Sequence, residues 1–327
     1  MTLDVTGAPR HVPVMRERVV ELLAPALEQP GAIYVDATIG LGGHADLVLQ
    51  RLPLARVVGI DRDPTALSLA GRRLQQYAER VTLVHAVYDE FARVVDELGI
   101  ASVDAALFDL GMSSLQIDTP ERGFSYSVDA PLDMRMDQTH GLTAADVLNT
   151  YEELRLERVL REYGEERYAR RISRAIVAER ATQPFATSRR LVELLGRVVP
   201  QAAQRSGGHP AKRTFQALRI EVNRELDAWR TALPSAVGTL RVGGRIAVLS
   251  YHSLEDRITK TVLAEGAGSR TPIGLPVELA EHAAYLRLLT RRAERPSQAE
   301  ILTNPRAASA RLRAAERIRA TTQGEHR

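Results

Sequence analysis

The stretch from Ile33 to His44 constrains the fold more than any other in the chain. The apolar run Ile33-Tyr34-Val35 ends in Asp36, glycines follow at Gly40, Gly42 and Gly43, and Ala45 to Leu49 reads as the start of a helix. A strand, a tight turn and a helix in that order let backbone approach a nucleotide-like ligand. Glycines, having no Cβ, take positive φ and are expected to leave room for a ribose or phosphate. Gly40-x-Gly42-x-x-Ala45 also fits a dinucleotide fingerprint, so the downstream pattern has to decide between ligands.

That pattern repeats. Arg56 to Asp63 is a second strand ending in acids, and Pro64 opens a helix through Tyr77. Val81 to Ala86 is a third strand, followed by a helix to about Leu98, and Val103 to Asp109 is a fourth. Near-continuous apolar strands alternating with helices make a parallel sheet covered on both faces, with the ligand beyond the carboxyl ends. Asp36, Asp61, Tyr88 and Asp109 all stand at such ends.

The alternation then stops until Arg245 to Ser250, introduced by Leu240-Arg241-Val242-Gly243-Gly244. The gap is 135 residues. One crossover unit needs roughly 30, so about 100 residues are inserted between strands four and five. The insert reads as helical. Thr143 with Asp146 forms a capping box opening a helix to Tyr163-Gly164, and Glu165 to Arg180 is a second helix dense in arginine. Ser188 to Val199, capped by Thr187, is a third, and a Gly207-Gly208 loop leads to a long helix from Ala211 to Leu233. Phe215, Leu218, Val222, Leu226 and Trp229 make its buried stripe, with Arg213, Gln216, Asn223 and Arg224 opposite. Leu286 to Arg292 and Ala308 to Ala315 suit a final hairpin, and residues 1–10 suit a disordered tail. The expected domains are a discontinuous α/β domain, 1–112 with 213–327, and a helical insert, 113–212.

Composition excludes some functions. There is no cysteine, so disulfides and thiolate metal sites are ruled out, and the eight histidines do not pair at ligand spacing. No metal is expected. No apolar run approaches ~20 residues, and Met1 to Arg10 has Asp4 and no apolar core, so a cytoplasmic chain is expected. Net charge is +3, and of 44 basic residues only Lys212 and Lys260 are lysines. Arginine suits phosphate and base contacts, but that bias leaves nucleic acid only one option among several.

In both ligand classes that fit this sheet, nicotinamide dinucleotide and S-adenosylmethionine, Asp61 takes the ribose hydroxyls. Three features favour the second. Asp36 offers negative charge to a sulfonium and ammonium ligand; Leu240-x-x-Gly243-Gly244 leads into strand five; and Asp109-Leu110-Gly111-Met112-Ser113-Ser114 forms a polar loop where amino-group methyltransferases hold the target nitrogen.

Ordered runs along almost the whole chain then become specific. They are His11 to Met15, Asp36 to His44, Asp61 to Pro64, Asp109 to Ser114, Glu121 to Ser125, Pro131 to Met136, Tyr163 to Arg167, His209 to Ala217, His252 to Arg257 and Asn304 to Ala307. In these the chain resembles the bacterial RsmH/MraW family, which N4-methylates a cytidine in the decoding centre (P-site region) of 16S ribosomal RNA. The resemblance implies a class I S-adenosylmethionine-dependent methyltransferase fold with a helical RNA-recognition insert, acting in ribosome biogenesis on 16S rRNA or the small subunit. It implies cofactor contacts from Gly42, Gly43, His44, Asp61, Tyr88, Asp109 and Gln116. Two departures stand out: Leu115 replaces the usual Pro before Gln116, and Ala308 replaces the usual Arg after Asn304 to Ala307.

Cytosine's exocyclic nitrogen is a poor nucleophile and must be held in line with the methyl group, roughly 3–3.5 Å away. Asp109 and Ser113 are the candidates for that task, and Asp109 has cofactor binding alone as its alternative role. Arg135, Lys212, Arg213, Gln216, His252 and Arg257 are the candidate RNA contacts, with packing of the insert as the alternative for Arg135 and a cap for His252. The target should be single-stranded or flipped out. A monomer or homodimer is expected, without membrane or metal. Competing readings are a nicotinamide dehydrogenase, a DNA amino-methyltransferase and a cofactor-binding assembly factor without turnover; the second would carry a Pro-Pro motif that Asp109 to Met112 lacks.

Overall fold

Strand-forming residues in the first part of the chain are apolar on both sides of the pleat, which suits burial on both faces. In the computed structural model, which describes residues 13–201, 203, 209–269, 271, 279 and 282–320, they do form such a sheet. The chain divides into two compact units, Met1–Gly111 with Asp227–Arg327, and Met112–Leu226.

The first unit holds a seven-stranded sheet in the order β3-β2-β1-β4-β5-β7-β6. The strands are β1 (Ile33–Asp36), β2 (Arg56–Asp61), β3 (Val81–His85), β4 (Val103–Asp109), β5 (Leu240–Ser250), β6 (Leu286–Leu288) and β7 (Arg311–Arg317). β1 to β5 are parallel; β7 runs antiparallel to both β5 and β6, so the expected closing hairpin forms. Successive residues feed opposite cores. Tyr34, Leu107 and Leu249 lie in one buried cluster with Val19 and Val48 from helices Arg16–Leu23 and Gly43–Arg51. Val35, Phe108 and Val248 lie in the other with Phe91 and Trp229. Strand order reverses between β1 and β4, which sit side by side with Asp36 opposite Leu107. A crevice opens beyond the carboxyl ends of two strands at such a switch point.

The second unit is helical, with helices Ser114–Asp118, Ala144–Thr150, Glu153–Gly164, Ala169–Arg180, Ser188–Val198 and Ala211–Asn223 around a core that includes Leu148, Leu160, Ile172, Leu191 and Phe215. Three expectations change here. The Thr143 and Asp146 capping box is present, but its helix ends at Thr150 because Tyr151 and Glu152 are extended. Thr187 sits at the start of its helix without a side-chain cap. The long helix from Ala211 to Leu233 is two helices, Ala211–Asn223 and Glu225–Thr239, separated by Arg224 in the left-handed conformation (φ 51°). Its presumed single stripe is therefore shared: Phe215 and Leu218 belong to the core of the second unit and Trp229 to that of the first. For the same reason the boundary falls at Leu226, not at Lys212. The expected tail, the Gly207-Gly208 loop and the chain's last residues lie outside the described residues.

Candidate active site

Three carboxylates close the ends of neighbouring parallel strands in the first unit. Asp36 is 1% exposed; its Oδ2 accepts from the Tyr34 hydroxyl at 3.2 Å and its Oδ1 from the Thr38 amide at 3.4 Å. Asp61 accepts from the amides of Gly40 at 2.8 Å and Asp63 at 2.9 Å, so the second strand's acid fastens the glycine turn. Asp109 accepts from the Tyr251 hydroxyl at 2.7 Å through Oδ1, while its amide donates to Thr38 Oγ1 at 2.7 Å. His44 Nδ1 lies 3.8 Å from Asp109 Oδ2.

Loss of hydration disfavours the charged form of a carboxylate. Burial, with the nearby charge of Asp109, lifts Asp36 to about 7. Burial lifts Asp109 to about 7, against the Tyr251 hydrogen bond that pulls it down. Burial lifts Asp61 to about 6, opposed by its amide donors. The Arg62 charge beside Asp61 pulls the other way, and His44 stands beside Asp109. Three acids gathered at the ends of neighbouring strands suit a cation. The sulfonium and ammonium groups of S-adenosylmethionine fit that donor set. Asp36 and Asp109 would face its positive charge, Asp61 its ribose, and its sulfonium would supply an electrophilic methyl group. Tyr88, half-buried and edge-on to Phe108 and Trp229 at 6.2 Å from each, stands beyond β3 where an adenine ring would need an aromatic wall.

The turn itself differs from expectation. Gly42 has φ 75°, as the turn needs, but a Cβ on Gly43 would come within 2.2 Å of the Pro13 ring. Gly43 is therefore required by packing of the chain against itself, whatever ligand lies nearby. His44 is also committed internally: its Nε2 is 3.1 Å from the Val14 carbonyl.

Ser113 and Gln116 belong to the second unit. The Ser113 hydroxyl accepts from the Gln116 amide at 3.2 Å and Gln116 Oε1 accepts from the Ser113 amide at 3.1 Å, a reciprocal cap that opens the helix Ser114–Asp118. Arg135 grips Asp133 with two parallel bonds of 2.9 and 2.8 Å, and its neighbours Leu132 and Met134 are buried, so packing of the insert accounts for this run. Asn223, expected on the polar face, is 3% exposed and bridges the Met134 carbonyl and the Met136 amide. Gln216 donates to the Tyr163 carbonyl at 2.9 Å; Lys212 and Arg213 are exposed. In the first unit His252 caps helix Ser253–Ala267, its ring 3.0 Å from Glu255, and Arg257 is exposed on that helix. Tyr251, which holds Asp109, escapes a motif reading. Its only signal is position, a hydroxyl-bearing aromatic two residues past Leu249, the β5 partner of Asp109.

The sheet order and the acids at its switch point define a class I S-adenosylmethionine-dependent methyltransferase. A profile of the MraW methylase family matches residues 8–318. The chain belongs to that family. It is 62% identical over 312 residues to ribosomal RNA small subunit methyltransferase H of Thermobifida fusca, covering 95% of this chain and 94% of that one. It is 60% identical over 325 residues to the protein of the same name from Nocardia farcinica, covering 98% and 100%. Among the described residues no helix is long and apolar enough to cross a membrane, and no three His, Asp or Glu side chains are placed to hold a metal ion.

Proposed function

We propose that the chain transfers a methyl group from S-adenosylmethionine to N4 of a cytidine in the decoding centre of 16S ribosomal RNA. The substrate class rests on relatives named for the small ribosomal subunit that align end to end with this chain. The chemistry rests on one observation above all: a half-buried carboxylate, Asp109, pushed to about 7, at the mouth of the switch point and leading into the polar loop Leu110 to Ser114.

A cytosine amine shares its lone pair with the ring, so the enzyme gains most by orientation and by accepting hydrogen bonds from N4. Asp109 accepts from one N4–H and aligns the remaining lone pair. When N4 takes the methyl group and the donor departs as a neutral thioether, its sulfur–methyl bond broken, the nitrogen becomes acidic and its proton passes to the carboxylate, whose raised basicity suits a base working near neutral pH. Ser113, four residues on in the sequence, is the other candidate for a contact with the target. Gly42, Gly43, His44, Asp61, Tyr88 and Gln116 complete the cofactor side. Lys212, Arg213, Gln216, His252 and Arg257 are the residues that would meet RNA, with the cytidine flipped out or unpaired; Arg135 is the weakest of the set because Asp133 already neutralises it.

The test is transfer of labelled methyl to small subunits and to deproteinised 16S RNA, with the product nucleoside identified by mass spectrometry. N4-methylcytidine is expected. Asp109→Asn should lower the single-turnover rate by about 100-fold or more, the scale of a general base. A methyl group on another atom, or full turnover by the Asn variant, would sink the proposal.

A further inference from the structure

The hydroxyl that reaches Asp109 comes from a residue to which neither the motifs nor the relatives' names give a task. We propose that Tyr251 is a positioning residue for methyl transfer, holding the Asp109 carboxylate in one orientation and in its charged form while its ring supports the loop that follows. This rests on the reading of Asp109 given above.

The geometry is specific. Asp109 and Leu249 are register partners on parallel β4 and β5, and the Leu110 amide donates to the Leu249 carbonyl at 3.0 Å. Tyr251 thus leaves β5 beside the end of β4, and its hydroxyl donates to Asp109 Oδ1 at 2.7 Å, the short length of a bond to a carboxylate. Its own backbone is pinned, since the Tyr251 amide donates to Glu255 Oε2 at 2.8 Å and the His252 amide to the same oxygen at 3.2 Å. Glu255 is 3% exposed. The ring lies against Gly111, which has φ 95° and where an added Cβ would sit 3.4 Å from Tyr251 Cδ2. One side chain therefore fixes both the acid and the first bend of the polar loop.

With Oδ1 occupied by the phenol, Oδ2 is the oxygen left for a substrate amine. The phenol is a poor competitor for the proton: burial and the adjoining Asp109 charge hold it well above its ordinary range, so it stays a donor. The groups facing Asp109 are Tyr251 and Glu255 from beyond β5, His44 from helix Gly43–Arg51, and Asp36 with Tyr34 from β1; Glu300 acts on the phenol. Burial and the like charge of Glu255 push Asp109 towards its protonated form, and the phenol opposes them.

The test compares full-length wild-type protein with Tyr251→Phe, which keeps the ring and removes only the donor. Single-turnover methylation is followed from pH 6 to 9 on small subunits, alongside donor binding by calorimetry without RNA. In wild type the acid limb should follow the Asp109 carboxylate. In Tyr251→Phe its midpoint should move up by about one pH unit, the size of one lost hydrogen bond to a charge, with a plateau rate about tenfold lower. Incorporating 3-fluorotyrosine at 251, a stronger donor, should move the midpoint down, and serves if the Phe variant is unstable. A lower rate with an unmoved midpoint, or an unchanged profile, overturns the proposal. Asp109→Asn separates the two levels. If it keeps full turnover, the reading of Asp109 itself fails; if it is inactive while the Phe profile stays put, only the role of Tyr251 fails.

Discussion

Loss of hydration on folding lifts the Asp36 and Asp109 carboxylates to about 7 from an unfolded value of about 3.9. The folded chain consequently binds more protons than the unfolded chain between those limits, and stability falls as pH rises through the window. Asp129, Asp146 and Asp256 behave oppositely: their hydrogen bonds lower them, and their contribution is lost only as pH falls below about 4. Melting of the donor-free protein should therefore occur at a higher temperature at pH 6 than at pH 8, and Asp36→Asn should narrow the difference. Donor binding has the reverse dependence, because a cation prefers the charged acids. Its affinity, measured by calorimetry, should rise from pH 6 to pH 8 and flatten above.

At the scale of single elements, local conformation decides where helices stop. Gly43 opens helix Gly43–Arg51 directly against Pro13. Gly43→Ala forces a Cβ into that ring and should cost about 1–3 kcal/mol, read as a lower melting temperature. Arg224 ends helix Ala211–Asn223 with φ 51°, a conformation that costs an ordinary residue about 1 kcal/mol. Arg224→Gly should therefore stabilise slightly. Its neighbour Asn223 is the opposite case, since its amide satisfies two buried backbone groups, and Asn223→Ala should cost about 1–3 kcal/mol for each group left without a partner. The break was not legible in the periodicity, because Phe215 to Trp229 keeps helical spacing across Arg224 and nothing in that spacing records a single residue turning left-handed.

For the molecule as a whole, 44 basic residues against 41 acidic ones leave little spare positive charge for a polyanion. The arginines of the helical unit are mostly engaged: Arg155 with Glu221, Arg174 with Glu153, Arg189 with Asp129, Arg197 with Glu179, while Arg180 and Arg190 bond backbone carbonyls. Arginine density there largely reflects internal pairing. RNA affinity should accordingly show a shallow salt dependence. Lys212→Ala and Arg213→Ala should each reduce the slope of log K against log salt by about 0.7–0.9, whereas Arg135→Ala should leave it unchanged. Filter binding across a potassium chloride series measures both.

What the sequence determined by itself was the parallel sheet, the placing of Asp36, Asp61 and Asp109 at strand ends, and the length of the interruption before β5. Those follow from local rules: apolar continuity makes a two-sided strand, and an acid after it marks the end. Only the tertiary structure decided which groups hold those acids. Tyr251 meets Asp109 across 142 positions, Asn223 meets Met134 across 89, and Gly43 is dictated by Pro13. Such contacts depend on strand order and on how closely two remote backbones approach. Spacing along the chain carries no record of either.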